Sequence, residues 1–323
     1  MNTFAKIPLM LALALAPALA WSQSAADYPN RTVKILVPNP PGGPVDAIAR
    51  VTASFLEGRF KQPFIVENRP GASSQLATDA VVKAAPDGYS LLVTSTSLVI
   101  EQATNKEWPF RFDRDVTPIS ILSSTGYAFS VSNKTPAANL RELVAYSKAN
   151  PGKLNEAMPG GFNADNAILR HTLGMGPVEF VMYAGAAPAV TAMIAGEVDF
   201  SGVVVLPVMQ LEKAGKLRIF AYTGKQRHPL IPHVPTVNEA GVGQTDFETG
   251  FWIAAVGPAG MSSDLVTKLN SATADMARSQ EITAKVASMG LVLESPGPAQ
   301  SRARMATLFK QYQDALAAGV RMR

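Results

Sequence analysis

The sequence contains no cysteine. Disulfides, thiolate metal sites, a cysteine nucleophile and a lipidated N-terminal cysteine are thereby excluded. Charge is sparse. Only 17% of the 323 residues are charged, with 29 Lys+Arg against 25 Asp+Glu. The net charge of +4 comes with no Lys/Arg run, so there is no electrostatic footprint for nucleic acid. Three histidines occur, His171, His228 and His233, and no His–carboxylate spacing suggests a metal. The G-x-S-x-G, S-x-x-K, H-E-x-x-H and G-x-x-x-x-G-K-[ST] signatures are all missing. A Ser–His–Asp set assembled in space leaves no such signature, so an exported hydrolase stays as the rival class. No internal repeat at a fixed period is present.

What is there is apolar and rich in turn formers. Hydrophobic residues make up 47%, and Gly and Pro number 24 each. That suffices for sizeable cores, and the length allows one large domain or two medium ones. Lys6, the apolar run Ile7 to Leu15 and Ala18-Leu19-Ala20 read as a secretory signal peptide over residues 1–20. Cleavage as late as Ala25 or Ala26 is an alternative. The run is shorter than the roughly 20 residues a span needs, and Pro17 breaks it. No later uninterrupted apolar stretch reaches spanning length. A soluble chain exported to the periplasm is expected.

From Thr32 onward strands and helices alternate. Thr32 to Pro38 is nearly continuous in apolar residues, as for a strand buried on both faces. After Pro40-Pro41-Gly42-Gly43, Pro44 suits the first position of a helix, where its missing N–H has no partner anyway. Strands are then expected at Phe64 to Glu67 and Tyr89 to Val93, with a helix carrying Leu76, Ala80, Val81 and Ala84 between them. This order argues a parallel sheet. The pattern restarts near Gly126. Strands are predicted at Tyr127 to Val131, Leu154 to Ala157, Val178 to Met182, Phe200 to Val205 and Leu217 to Tyr222. Helices fall around Leu140 to Ser147, at Ala164 to Leu173, at Pro188 to Ala195 and at Leu206 to Lys213. A buried strand at Phe251 to Val256 and two or three helices close the chain. Two α/β lobes joined by two crossings, near Ser123 to Gly126 and Asp246 to Gly250, are expected, with a cleft between.

In open α/β sheets, ligands bind beyond the carboxyl ends of the strands. The post-strand loops Asn39–Asp46, Asn68–Ser74, Thr94–Ser97, Met158–Asn163 and Tyr183–Ala187 are rich in Gly, Ser, Thr and Asn. Arg69 is their one cation. Glycines let a ligand approach the backbone, and helix N-termini attract anions. The loops suit a small anion held by amides and hydroxyls. Turn chemistry alone accounts equally for the same composition. Asp46 sits in a first helical turn, four residues before Arg50, where a structural role outweighs ligand contact.

A run of short segments then resembles a known family. Tyr28-Pro29-Asn30-Arg31, Gly42-Gly43 and Asp46-x-x-x-Arg50 open it. Val66-Glu67-Asn68-Arg69-Pro70-Gly71-Ala72, Ala84-Ala85-Pro86-Asp87-Gly88-Tyr89 and Ala195-Gly196-Glu197-Val198-Asp199 continue it. Val234-Pro235-Thr236 and Gly257-Pro258-Ala259-Gly260 close it. In this order they resemble the Bug family, the extracytoplasmic binding proteins of tripartite tricarboxylate transporters. The resemblance implies an α/β, two-lobed, type II periplasmic-binding-protein-like fold with a ligand cleft between lobes. It places lobe 1 at 27–125 and 246–323 and lobe 2 at 126–245. It implies a monomer that captures a small carboxylate and delivers it to a membrane permease, without cofactor, metal or chemical step; a sensor for a signalling partner is the alternative. Carried over residue by residue, the ligand contacts fall on Asn39, Gly42, Gly43, Asp46, Ala72, Ser73, Ser74, Thr94 and Ser95. From lobe 2 they fall on Gly160, Gly161, Tyr183 and Gly185. Asn39, Ser73-Ser74, Glu156 to Pro159 and Ala184 depart from the family pattern, and these departures bear on which solute is bound.

Overall fold

The computed structural model describes residues 27–159, 164–183, 185–242 and 250–320. The signal segment lies outside them. Strand β1 (Val33–Val37) is buried at four of its five residues, as its apolar run requires. Helix α1 (Pro44–Phe60) begins at the expected proline and ends on Lys61 in the left-handed region. Next come β2 (Phe64–Asn68), a single 3-10 turn at Ala72–Ser74, α2 (Gln75–Val82), β3 (Ser90–Ser95), α3 (Ser97–Thr104) and β4 (Val116–Thr125). The chain returns much later with β10 (Phe251–Pro258), α8 (Ser263–Arg278), α9 (Gln280–Ala287), β11 (Val292–Leu293) and α10 (Pro298–Ala317).

These strands make one six-stranded sheet in the order β11-β4-β10-β3-β1-β2. The first three strands are parallel, as their order implies: β1 runs parallel to β2 and β3, while β10 is antiparallel to both β3 and β4. The reason is the late return, which inserts β10 from the opposite direction. Both faces are covered. Ile35, Val37, Leu91 and Val93 pack with Ile48 and Leu56 of α1 and Leu265, Leu269 and Met276 of α8. Leu36, Leu92 and Ile121 face the other way, toward Val81 of α2, Leu98 of α3 and Met305, Leu308 and Tyr312 of α10.

The second sheet has the order β7-β6-β8-β5-β9. Its strands are β5 (Tyr127–Val131), β6 (Asn155–Pro159), β7 (Glu179–Tyr183), β8 (Phe200–Val204) and β9 (Arg218–Tyr222). Helices α4 (Leu140–Ala149), α5 (Ala164–Leu173), α6 (Ala186–Ala195) and α7 (Val205–Lys213) flank it. The bounds of α5 match the sequence expectation, and those of α6 start two residues earlier. Phe129 and Phe200 stack at 5.2 Å between neighbouring strands.

Strand direction places the loops. β4 is parallel to β3, because both are antiparallel to β10. Thr125 therefore ends at the same sheet edge as Val37, Asn68 and Ser95. One glycine later Tyr127 opens the second sheet, where it pairs with Val204 at the carboxyl end of β8. β6 and β7 run parallel to β8, so their carboxyl ends lie there too. Both sheets thus turn their strand ends toward the junction. The crossing is tightly packed. The Gly126 N–H donates to the Tyr222 hydroxyl at 2.5 Å, and the Tyr127 N–H donates to Thr223 Oγ1 at 2.8 Å. A Cβ on Gly126 would sit 2.5 Å from the Gly224 nitrogen, so no larger residue fits. The expected return crossing, Asp246 to Gly250, falls outside the described residues except for Gly250.

Candidate ligand cleft

The first loop follows β1. Gly42 takes φ +91°, which a residue with a Cβ adopts only under strain, and open space lies beside both Gly42 and Gly43. Gly43 caps α1 without a side-chain bond, leaving the first turn uncovered by any side chain. Asp46 is 3% exposed, and its carboxylate is fully engaged. Oδ2 accepts from the Gly42 N–H at 2.9 Å and Arg50 Nε at 3.0 Å, and Oδ1 accepts from Asn68 Nδ2 at 2.9 Å. Burial opposes ionisation here, but the bonds from Arg50, Gly42 and Asn68 outweigh it and hold the pKa at about 2. Asn68 also donates to the Asn39 carbonyl at 3.0 Å, stitching the first loop to the second. The buried Asn39 Oδ1 accepts no hydrogen bond.

The second loop is strained. After Gly71, the residues Ala72, Ser73 and Ser74 take φ of 46°, 52° and 80°. Each L-residue there costs about 1–2 kcal/mol. The turn brings Ser74 Oγ to 3.5 Å from Ser97 Oγ, and Ser95 Oγ donates to Ser97 Oγ at 3.1 Å. Thr94 and Ser95 were expected in a loop. They end β3 instead, since pairing with Ala254 and Ile253 of β10 extends that strand. Thr94 is fully buried on the α2 and α3 face, and its hydroxyl has no partner.

The nearby cations are committed. Arg50 binds Asp46 and Asn68. Arg69 binds Glu67 Oε1 at 2.6 Å. Across the junction, Tyr183 ends β7 half-buried, and burial followed by the Glu197 charge raises its pKa, so its hydroxyl stays a neutral donor. Gly185 caps α6 in extended backbone with no side-chain bond and open space at its Cβ position. Gly160 and Gly161 lie outside the described residues. Among the described residues, no group of three His, Asp or Glu could hold a metal.

A family model described as the tripartite tricarboxylate transporter family receptor matches residues 48–310. The chain belongs to this receptor family. BugT of Bordetella pertussis is 30% identical over 283 residues, covering 86% of each chain. An R. palustris protein with adipate superposes with a TM-score of 0.69 at 26% identity, over 90% of this chain and 97% of that one. MatC from Rhodopseudomonas palustris, with bound malate, gives a TM-score of 0.67 at 27% identity, over 89% and 99%.

For this receptor, the lobe 1 residues named from sequence converge on one sheet edge, and the described lobe 2 residues, Tyr183 and Gly185, lie at the facing edge. Two features were missed. Ser97 joins the hydroxyl cluster, and the run Thr94-Ser95-Thr96-Ser97 was its signal. The left-handed turn at Ala72–Ser74 was also missed, because serine and alanine rarely take that conformation and gave no sign of it.

Proposed function

We propose that this receptor closes two lobes, residues 27–125 with 246–323 and residues 126–245, around a small carboxylate and passes it to a membrane permease without transforming it. One observation carries the reading. The loops at the facing strand ends offer uncapped helix starts and serine hydroxyls, while Arg50 and Arg69 already pair with Asp46 and Glu67. A carboxylate can be held by such amides without a counter-charge. The adipate and malate bound in the relatives support the ligand class. The N-terminal segment supports export, and the missing catalytic signatures support binding over turnover.

Thermal unfolding in the presence of mono- and dicarboxylates, malate and adipate among them, tests the reading. A true ligand at 100 times its dissociation constant adds about 2.7 kcal/mol of stability. Mass spectrometry of the same mixtures should return the ligand unchanged. Sustained conversion contradicts binding alone, and the absence of a shift with any carboxylate contradicts the ligand class.

A further inference from the structure

Asp165, the second residue of α5, is 5% exposed. Two tyrosine hydroxyls donate to its carboxylate. Tyr127 Oη donates to Oδ2 at 2.7 Å, and Tyr312 Oη donates to Oδ1. Tyr127 is the first residue of β5, one glycine after the crossing from the first sheet. Tyr312 lies on α10, which packs against α3 and β4 of the first sheet, and is fully buried. The carboxylate therefore joins three parts of the molecule: a helix of lobe 2, the crossing strand and the C-terminal helix of lobe 1. Burial raises the Asp165 pKa, and the bonds from Tyr312 and Tyr127 only partly oppose it. Burial also pushes both tyrosines well above their ordinary range, which keeps them donors. An apolar trio would pack this space without the desolvation cost, so the contact is better explained by geometry than by stability.

Its place gives the geometry a use. α5 follows β6, whose carboxyl end faces lobe 1, so Asp165 stands at the cleft end of its helix. Its neighbour Asn166 fixes the same turn to β8, with Nδ2 on the Gly202 carbonyl at 3.3 Å, and a Cβ on Gly202 would strike its side chain. We propose that Asp165, bridging the Tyr127 and Tyr312 hydroxyls, is a positioning residue for ligand capture: it sets the angle at which lobe 2 presents the start of α5 to lobe 1. Loss of one bridging hydroxyl loosens that angle and leaves the Tyr312 ring in the apolar cluster that the two sheets share. The link to capture rests on the solute-binding reading above; the link to lobe angle does not.

The test uses the full mature chain. With no native cysteine, Glu57→Cys on α1 and Lys213→Cys on α7 give two spin-label sites, both exposed, on opposite lobes. Pulsed electron-electron resonance then reads the interlobe distance with and without adipate. Tyr312→Phe keeps the ring and removes one donor. The expected result is a broadened, shifted distance distribution in the ligand-free chain. Adipate affinity should fall about 10-fold, mainly through faster dissociation, with circular dichroism unchanged. Tyr127→Phe should act in the same direction, and serves if Tyr312→Phe does not fold. Distances and affinity that both match the parent in a folded variant overturn the proposal. If the parent binds neither adipate nor malate, the solute reading loses support, while the ligand-free distances still decide the role of Asp165.

Discussion

Glu67 and Asp46 decide what kind of pocket this is. Each holds the nearest arginine, so on the proposed reading the ligand should meet hydroxyls and amides first. A hydroxyl bond to a charged ligand is worth about 1.5–3 kcal/mol, so Ser74→Ala should weaken carboxylate binding roughly 10- to 150-fold. Arg69→Ala should cost less, because its guanidinium is spent on Glu67, and Gly43→Val should block the open space beside α1. Calorimetry on the three variants with one ligand checks this, and abolition of binding by Arg69→Ala alone refutes it. The strained Ser73 makes a second residue-scale prediction. Ser73→Gly relieves the left-handed strain and loses some chain entropy, for a net gain of up to about 1 kcal/mol. A urea melt should show the rise, and a drop would mean that the turn is not strained as described.

Glu156 supplies a pH dependence. It is 1% exposed on β6, with Arg170 Nη1 on its Oε2 and the Arg170 guanidinium 4.4 Å over the Phe180 ring. Burial raises its pKa from 4.5 to about 7, and Arg170 only partly opposes it. The folded pKa is the higher one, so the folded state binds the extra proton between these values. Its contribution to stability is complete below about pH 4.5 and is lost as pH rises toward 7. Asp46 acts in the other sense and lower window, its contribution complete above 3.8 and lost as pH falls toward 2. Denaturant midpoints at pH 5 and pH 7.5 should differ less in Glu156→Gln than in the parent. Equal pH sensitivity in both contradicts the assignment.

At the scale of elements, α10 packs in the core that the two sheets share. Met305, Leu308, Tyr312 and Ala315 line one buried face, and the same apolar cluster continues into Phe129, Leu143 and Phe200 around the second sheet. Leu308→Ala should therefore cost about 2–5 kcal/mol in chemical denaturation. A loss under 1 kcal/mol would show that α10 is dispensable to the core. This helix was legible in the sequence from Met305, Leu308 and Tyr312, as β1 was from its apolar run and α1 from Pro44. β4 was not. Pro118 interrupts it at a register shift against β10, and the fully buried Ser120 and Ser123 mimic a polar loop. Ser120 finds partners in Ser295 and Pro296, residues no local pattern could connect to it. α3 was missed because the hydroxyl run Thr94-Ser95-Thr96-Ser97 reads as a loop and leaves only the short apolar stretch Leu98 to Ile100 to mark a helix. The site shows the same division. Glycines and serines after strands announced the loops, whereas the Asp165–Tyr312 bond, 147 residues apart in sequence, exists only through tertiary packing.

At the scale of the whole molecule, the two sheets meet at the Gly126 crossing and in one shared apolar cluster, and the loops gather where strand ends face each other. Hinge closure around a ligand follows from that arrangement. Small-angle scattering should show a smaller radius of gyration with saturating ligand, and an unchanged curve would mean a rigid cleft. The central claim, that a carboxylate is recognised through amides and hydroxyls, has a more direct test. The chain is titrated calorimetrically with malate, adipate and related acids, and then with the methyl esters of any acid that binds. Esterification keeps the shape and removes the charge that the uncapped ends of α1 and α6 attract. At least one acid should bind, and its ester should bind 10-fold or more weakly, about 1.4 kcal/mol or more. Equal binding of acid and ester, or binding of none of the acids, would contradict the account.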